Sequence, residues 1–234
     1  MQRIYRVAGG TAQPHPLAVC DAAAVLRAGG LALVPTETVY GVGVCVAAYA
    51  EVAGRNAPSD QSGYGRIFTL KRRDVRQTVP WLVAGEEDLD TYGVDVPPEA
   101  HALARACWPG ALTIIVKASD AVPAFMQADD GTVALRASAS PVIQALVRAC
   151  GSPLAVTSAN THGAPAPASF DEVEPRILAG VDAAIDAGPT ACSGASTIVD
   201  AADGTFRIVR EGPLSAERIA QVLANASTFD QKGL

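Results

Sequence analysis

Residues 31–41 of the chain read LALVPTETVYG, a short apolar run that passes directly into a dense set of hydroxyl groups. The apolar half, Leu31 to Val34, predicts a buried strand, and the polar half follows where that strand ends. Ligands of open α/β sheets bind beyond the carboxyl ends of strands, so this stretch indicates a binding site. An ordinary turn is the alternative, because Pro, Thr and Gly are common in turns.

The rest of the sequence alternates between strand and helix patterns. We predict helices at 17–28, 97–107, 141–150, 170–179 and 214–224, and strands at 31–35, 67–71, 80–84, 112–117, 132–136, 154–157, 197–200 and 206–209. Two strand pairs, 112–117 with 132–136 and 197–200 with 206–209, are too close in sequence for a helix between them. The predicted fold class is therefore α/β with a mixed, α+β-like sheet.

The composition, 234 residues with 49% apolar and 18% charged, is that of one globular domain. We predict a single domain over 1–226 and a disordered tail over 227–234. No apolar run approaches the ~18 residues that span a bilayer, and Met1–Arg6 lacks the apolar stretch of a secretory signal. A cytoplasmic protein without membrane contact is expected. The five cysteines and three histidines are scattered, which predicts no metal site.

A short cluster holds five of the 18 basic residues, on a chain whose formal net charge is -6. Such a cluster on an acidic protein favours a small anionic ligand over an extended nucleic-acid groove. A solvated positive face is the alternative. The cluster comprises Arg66, Lys71, Arg72, Arg73 and Arg76.

Polar side chains at strand ends repeat the opening pattern. Lys71 and Arg73 would share one face of an extended chain, because strand side chains alternate with a period of two. Two neighbouring cations repel each other, so phosphate or carboxylate is expected between them. Ser158 and Asn160 follow another apolar strand and share a face by the same argument. Ser196 precedes its strand, so it reaches the same cleft only if that strand runs opposite to the others.

Common nucleotide and hydrolase motifs are missing. The patterns G-x-x-x-x-G-K-[ST], H-E-x-x-H and G-x-S-x-G do not occur, and the G-x-G that starts at Gly41 has Val46 where a dinucleotide fingerprint needs glycine. Arg136 and Arg210 end two further strands and add cations there. A bound nucleotide would therefore need a site of another kind.

Five motifs in this order resemble the YrdC-type threonylcarbamoyl-AMP synthase family over about residues 18–223. Each motif alone is modest in specificity, whereas their shared order is specific. The motifs are Pro35–Gly41, Lys71–Arg73 as K-x-R, Trp108–Thr113 as W-P-G-x-L-T, Thr157–Asn160 and Ser196–Asp200.

The resemblance implies a YrdC-like fold, with a twisted mixed sheet and flanking helices around a concave basic cavity. It also implies a reaction in which L-threonine, bicarbonate and ATP give threonylcarbamoyl-AMP and pyrophosphate. The product would pass to a downstream tRNA threonylcarbamoyl-transferase. Such a reaction depends on charge neutralisation and alignment more than on a protein nucleophile.

The family's functional residues fall into two groups. In the resemblance, the ATP phosphates and the developing charge would be held by the catalytic set Lys71, Arg73, Ser158 and Asn160, and the ATP site would be completed by Thr132 and Arg210. Threonine would be bound by Thr36, Thr38, Arg136 and Ser196, with Arg136 on its carboxylate. Magnesium is expected on the phosphates, with Glu37 as the acidic candidate ligand.

The sequence also departs from the family pattern. Asp74 follows K-x-R where the family has proline, and it brings a negative charge near the expected phosphates. Ala111, His162 and Ala195 replace proline, serine and proline, and the segment 44–66 is longer than usual. These changes indicate a divergent member with weak or altered activity.

A non-catalytic protein that binds double-stranded or ribosomal RNA on the same scaffold is the alternative function. The acidic net charge argues against it, because RNA-binding surfaces are usually extended and basic. A paralogue that transfers another carbamoyl or adenylyl group is a third reading.

Overall fold

A computed structural model describes residues 3–7, 14–192 and 194–230, with the backbone alone for 227–230. Across these residues the chain forms one ten-stranded sheet with helices on both faces. The strands are β1 (Arg3–Arg6), β2 (Ala32–Pro35), β3 (Tyr40–Cys45), β4 (Trp81–Leu82), β5 (Leu112–Lys117), β6 (Thr132–Arg136), β7 (Leu154–Ser158), β8 (Ala183–Asp186), β9 (Thr197–Asp200) and β10 (Arg207–Arg210). The helices are α1 (Pro16–Arg27), α2 (Gly63–Lys71), α3 (Asp88–Tyr92), α4 (Pro98–Cys107), α5 (Pro141–Cys150), α6 (Pro175–Ala179) and α7 (Ala216–Asp230), with short 3-10 helices at Val46–Tyr49, Ala124–Met126 and Phe170–Glu172.

The sheet is mixed, which confirms the predicted α/β class. Its strands lie in the order β1-β8-β2-β3-β7-β4-β6-β5-β9-β10. The two strand pairs with short connections, β5 with β6 and β9 with β10, are antiparallel neighbours, and the first connection contains only the 3-10 helix Ala124–Met126. None of the helices in the described ranges combines the length and apolar character needed to cross a membrane.

The prediction of a strand over 67–71 was wrong, because these residues belong to α2. Ser62 caps the helix by accepting a hydrogen bond from the Gly65 amide at 3.0 Å. Tyr64 and Phe68 then bury the same helix face with Ile67, and this burial outweighs the β propensity of the apolar run.

The end of α2 changes the geometry of the K-x-R motif. Lys71 is the last helical residue, and Arg72 ends the helix in the left-handed region at φ 51°. Lys71 and Arg73 therefore do not project from one face of an extended strand, as the sequence reading assumed.

Other elements also differ from the prediction, which contained no strand at β1, β3 or β8 and no helix at α3. The helix expected over 170–179 is a 3-10 turn followed by the short helix α6, because Pro175 fits only the first turn of a helix and Glu174 before it is extended at ψ 131°. β3, over which no strand was predicted, pairs with β2 as an antiparallel hairpin. The helix α7 includes residues 227–230, for which disorder was predicted; 231–234 lie outside the described residues, and the predicted domain limits stay a prediction.

The two faces of the sheet are covered differently. α1 and α5 pack against one face over β8, β2 and β7, where Val34, Leu154 and Ile185 meet Leu26 and Ile143. The larger core covers the opposite face and includes side chains from α2 and α4. On the first face, the part over β4, β6, β5 and β9 is lined only by strands and loops in the described chain, and it forms a concave surface.

Two glycines of β3 make room for a side chain beside this surface. A Cβ on Gly43 would lie 2.5 Å from Val156 Cγ2 and 2.7 Å from the Ala155 carbonyl oxygen, and Gly41 is equally close to Val156. Val156 therefore packs directly onto the backbone of the neighbouring strand.

The replacement Gly43→Ala should lower the free energy of unfolding by about 2–3 kcal/mol, because the added methyl group overlaps fixed backbone as well as Val156. Gly194→Ala is the matched control, since a Cβ there meets open space. Urea unfolding of both variants measures the difference. Equal unfolding midpoints for the two variants would show that β3 can shift to accept the methyl group.

Candidate active site

A cavity of about 300 Å³ lies over the part of the sheet face that carries no helix. Alternate residues of each strand face it, because side chains of a strand alternate between the two faces. Its apolar floor comes from Leu82, Ile115, Ala134, Val156 and Ile198. Polar and cationic groups stand around this floor.

Seven of the ten predicted site residues line this cavity. Arg73 and Ser158, far apart in sequence, are brought together there. The seven residues are Thr36, Thr38, Arg73, Arg136, Ser158, Ser196 and Arg210.

Ser196 reaches the cavity although its strand is not reversed. β9 is parallel to β5, and the pairings through β6 and β4 give β9 the same direction as β7. The prediction of an opposite strand was wrong because it assumed a site at one edge of the sheet. Over the sheet face, Ser158 at the end of β7 and Ser196 before β9 both reach the cavity.

Residues 36–39 of the hydroxyl-rich stretch form the turn between β2 and β3. The Oγ1 of Thr36 accepts hydrogen bonds from the amides of Thr38 and Val39, at 3.1 and 3.0 Å. The two threonine hydroxyls lie 2.9 Å apart. The turn thus uses part of its polar groups to fix its own shape, and it presents Thr38 to Arg136.

Arg136 is buried and lies in an ion pair with Glu37. Its Nη2 donates to Glu37 Oε1 at 2.6 Å, its Nε donates to the Gly110 carbonyl at 3.0 Å, and both Nη atoms lie 3.2 Å from Thr38 Oγ1. The Ser138 hydroxyl donates to the other oxygen of Glu37. Burial raises the pKa of Glu37, but the Arg136 charge and these hydrogen bonds outweigh it, so the net pKa lies below the usual value.

Arg73 and Arg210 have only neutral acceptors among their described hydrogen-bond partners. Arg73 donates to Gln77 Oε1 at 2.8 Å, to the Thr78 carbonyl at 2.6 Å and to Thr157 Oγ1 at 3.2 Å. Arg210 donates to the Ser196 carbonyl at 3.0 and 2.7 Å. Partial desolvation, followed by the charge of Arg136, lowers the pKa of Arg210. No described residue that lines the cavity is acidic, so the cavity is locally positive on an acidic chain.

Lys71 and Asn160 lie behind the cavity wall rather than on it. The buried Lys71 Nζ donates to the carbonyls of Ser158 and Asn160 at 2.5 and 2.8 Å. Asn160 Nδ2 donates to the carbonyls of Thr161 and Ala164 at 3.0 and 2.6 Å. In this structure the pair supports the end of β7, which carries Ser158.

Because Lys71 is buried and near Arg73, its pKa is lowered to about 8. The ammonium is therefore charged below about pH 8 and neutral above it. The ATP role that the family resemblance implies for Lys71 needs this charge, so kcat/KM for ATP at saturating threonine should fall as the pH rises through about 8. A pH–rate series on wild type and Lys71→Arg measures this, with the fall moved to higher pH in the arginine variant. A wild-type profile that stays flat to pH 9.5 would contradict it.

Thr132 is the third predicted site residue that does not line the cavity. It lies at the start of β6 opposite Lys117, and its hydroxyl donates to Asp130 Oδ1 at 2.7 Å. Its assignment to the ATP site stays a prediction.

The basic side chains of residues 66–76 do not gather around one site, and only Arg73 of this cluster lines the cavity. Arg66 pairs with Asp182, and Arg76 pairs with Asp74 at 2.6 Å. The hydrogen bonds from Arg76 lower the pKa of Asp74 to about 2. The sequence predicted that the Asp74 carboxylate would repel bound phosphates. In the structure its negative charge is paired with the positive charge of Arg76.

A larger open cavity of about 830 Å³ lies between α1, α2 and residues 179–182. Its arginines face aspartates, with Arg66 on Asp182 and Arg3 at 3.9 Å from Asp21. These paired charges leave no excess of positive charge for an anion, so size alone does not identify the site.

The described residues give magnesium little to bind. They contain no group of three or more His, Cys, Asp or Glu side chains placed to hold a metal ion. Glu37, the acidic candidate, has one oxygen on Arg136 and the other on Ser138. The residues around the cavity therefore do not fit a protein-bound metal, and the expectation for Glu37 is corrected to an ion-pair role.

The structure adds Thr113 and Thr78, which the sequence reading missed. Thr113 Oγ1 lies 2.8 Å from Ser196 Oγ, and Thr78 provides a carbonyl for Arg73. Thr113 ends the W-P-G-x-L-T motif, so its position in that motif was the available signal. Thr78 contributes only backbone to this contact, which no side-chain pattern reveals.

The comparisons with known proteins agree over most of the chain. The family model Sua5/YciO/YrdC, described as "Telomere recombination", matches residues 24–212. A Mycobacterium tuberculosis protein provisionally named threonylcarbamoyl-AMP synthase is 34% identical over 205 residues, 88% of each chain. The Pyrococcus abyssi threonylcarbamoyl-AMP synthase is 33% identical over 202 residues, 86% of this chain and 56% of its own. A crystal structure of P. abyssi Sua5 complexed with L-threonine matches with a TM-score of 0.82 and 30% identity, over 94% of this chain and 60% of that one.

Proposed function

Because the chain belongs to the Sua5/YciO/YrdC family, we propose that it is an L-threonylcarbamoyl-AMP synthase. In this role it converts L-threonine, bicarbonate and ATP into threonylcarbamoyl-AMP and pyrophosphate, which makes it a nucleotidyltransferase. The product would serve a cytoplasmic tRNA threonylcarbamoyl-transferase.

One observation carries the proposal: three guanidinium groups line a single cavity that contains no acidic lining residue. Arg73 and Arg210 have neutral partners, and Arg136 is paired with Glu37. A triphosphate and a carboxylate are the ligand groups that such forks recognise best. An extended nucleic-acid surface would instead need basic residues over a broad face.

The reaction forms two bonds in turn, one between the threonine nitrogen and the bicarbonate carbon and one between a carbamate oxygen and the α-phosphorus, and each needs its reacting groups to be aligned. The threonine amine adds to bicarbonate and gives a carbamate with loss of water. A carbamate oxygen then attacks the α-phosphorus, the bond from this phosphorus to the bridging β-oxygen breaks, and pyrophosphate leaves with the electron pair. Arg73 and Arg210 would stabilise the phosphate charge, while Arg136 would hold the threonine carboxylate.

The hydroxyl groups and the residues behind them complete this assignment. Ser158 and Ser196 would donate to ligand oxygens on two sides of the cavity. Lys71 and Asn160 would act mainly through Ser158, since both contact the backbone near it. Magnesium would enter with ATP, held by phosphate oxygens, because the described part of the chain offers it no carboxylate cluster.

Pyrophosphate release tests the proposal. Purified protein with ATP, labelled bicarbonate and threonine should release pyrophosphate and form a labelled adenylate, and omission of threonine should abolish both. Release that does not depend on threonine would refute the proposal. Tight, salt-sensitive binding of double-stranded RNA without turnover would favour the non-catalytic alternative.

A further inference from the structure

The three arginines of the cavity differ in how their charges are compensated. Glu37 Oε1 lies 2.6 Å from Arg136 Nη2, and both side chains are largely buried, at 13% and 7% exposure. Arg73 and Arg210 donate only to neutral oxygens among the described residues. The cavity therefore carries two uncompensated positive charges and one neutral ion pair.

From this difference we infer that Glu37 is a specificity residue, which reserves the Arg136 position for the amino acid by cancelling the guanidinium charge there. The inference rests on the proposed function. A phosphate group, with a charge of about -1.5 to -2 near neutral pH, gains most from uncompensated cations. The zwitterion of threonine carries no net charge, so neutralising Arg136 with Glu37 costs it little binding free energy. Its carboxylate can still accept hydrogen bonds from the Arg136 guanidinium.

Without Glu37, the same position would favour phosphate. Arg136 and Arg210 line one cavity, and the charge of Arg136 contributes to lowering the pKa of Arg210, so the two guanidinium groups interact. Two neighbouring uncompensated cations are a site for a dianion. ATP or its pyrophosphate product would then occupy the place of threonine.

The contacts of Glu37 allow its charge to be removed with little change of shape. In Glu37→Gln, the amide oxygen can still accept from Arg136, and the amide nitrogen can donate to Ser138. The backbone carbonyl of residue 37 also keeps its hydrogen bond from the Cys192 amide, at 3.0 Å. The variant therefore tests charge rather than position.

The experiment is calorimetric titration with inorganic phosphate, in the presence and absence of threonine. We expect Glu37→Gln to bind phosphate at least about tenfold more tightly than wild type does, and we expect this phosphate to compete with threonine. Glu86→Gln is the matched control, since Glu86 pairs with Arg105 at 3.1 Å outside the cavity, and it should behave as wild type.

Phosphate binding that is the same in wild type and Glu37→Gln would overturn the inference. If Glu37→Gln does not fold, the pair Glu37→Asp and Glu37→Asn repeats the test at a shorter side chain, and only the asparagine variant should gain phosphate affinity. Failure of wild type to bind threonine would refute the proposed function instead. In that case, the phosphate affinities of wild type and Glu37→Gln without threonine would still test whether Glu37 neutralises Arg136.

Discussion

Replacement of Arg73 with alanine should reduce kcat by two to three orders of magnitude, equivalent to about 2.7–4 kcal/mol of transition-state stabilisation. Arg73 lines the cavity, its charge is not matched by a carboxylate in the described chain, and its fork is held by Gln77, Thr78 and Thr157. Such a group stabilises charge that develops on phosphate oxygens. Steady-state pyrophosphate release measures the effect.

Arg72→Ala is the matched control for this experiment. Arg72 is the adjacent residue, it is exposed, and it lies outside the cavity lining. Its replacement should leave kcat unchanged. Arg73→Lys keeps the positive charge but lacks the bidentate fork, so its kcat should lie between those of wild type and Arg73→Ala. Near-normal turnover of Arg73→Ala would remove this residue from the proposed catalytic set.

Replacement of Arg136 with alanine should have two effects. The threonine KM should rise about 10- to 100-fold, because a charge-assisted hydrogen bond to the carboxylate is lost. The free energy of unfolding should also fall by about 3–5 kcal/mol, because Glu37 is left as a buried charge without its partner. Threonine titrations and urea unfolding measure the two effects separately.

The double variant Arg136→Met with Glu37→Gln separates them further. It should recover most of the lost stability, since no buried charge remains, while the threonine KM stays high. An unchanged threonine KM in Arg136→Ala would exclude Arg136 from the amino-acid site. A double variant as unstable as the single one would show that the ion pair is not the source of the loss.

The pH dependence of stability should reverse in Arg136→Ala. In wild type the pKa of Glu37 is lowered, so its pair stabilises the fold above the unfolded pKa of about 4.3 and is lost as the pH falls through the folded value. In the variant, burial is no longer opposed by Arg136, and the folded pKa rises above the unfolded one. The stability deficit should therefore shrink between pH 7 and pH 5, which unfolding curves at several pH values measure.

One of the four residues that depart from the family pattern lines the cavity. Asp74 is paired with Arg76, and His162 is exposed, with its amide bonded to the Lys71 carbonyl at 2.8 Å. Ala195 does line the cavity, next to Ser196. Asp74 and His162 are not among the residues that line the cavity, and the expectation of altered activity stays a prediction.

The sequence predicted the elements whose local pattern and burial agree. The strands at 112–117 and 132–136 match β5 and β6, and the helix at 141–150 matches α5, because alternating or helical apolar spacing coincides with the buried faces. The order of the five motifs also identified the family, since it depends on residue identity and not on geometry.

Prediction from the local sequence pattern failed where contacts with residues distant in sequence determine the secondary structure. Residues 67–71 carry β-branched and aromatic residues, yet Tyr64 and Phe68 pack into the core from a helix. No strand was predicted over β3, where two glycines lower the β propensity, yet these glycines make room for Val156 of the next strand. Neither contact is visible within a window of neighbouring residues.

The sequence by itself determined the family, the mixed α/β class and most of the polar groups that line the cavity. The tertiary structure decided which of these groups are free to act: Lys71 and Asn160 point to backbone carbonyls behind the wall, and Glu37 cancels the charge of Arg136. The physical reason is that motifs specify which groups are present, whereas charge compensation and exposure depend on partners about 100 residues away, as for Glu37 and Arg136 at a separation of 99.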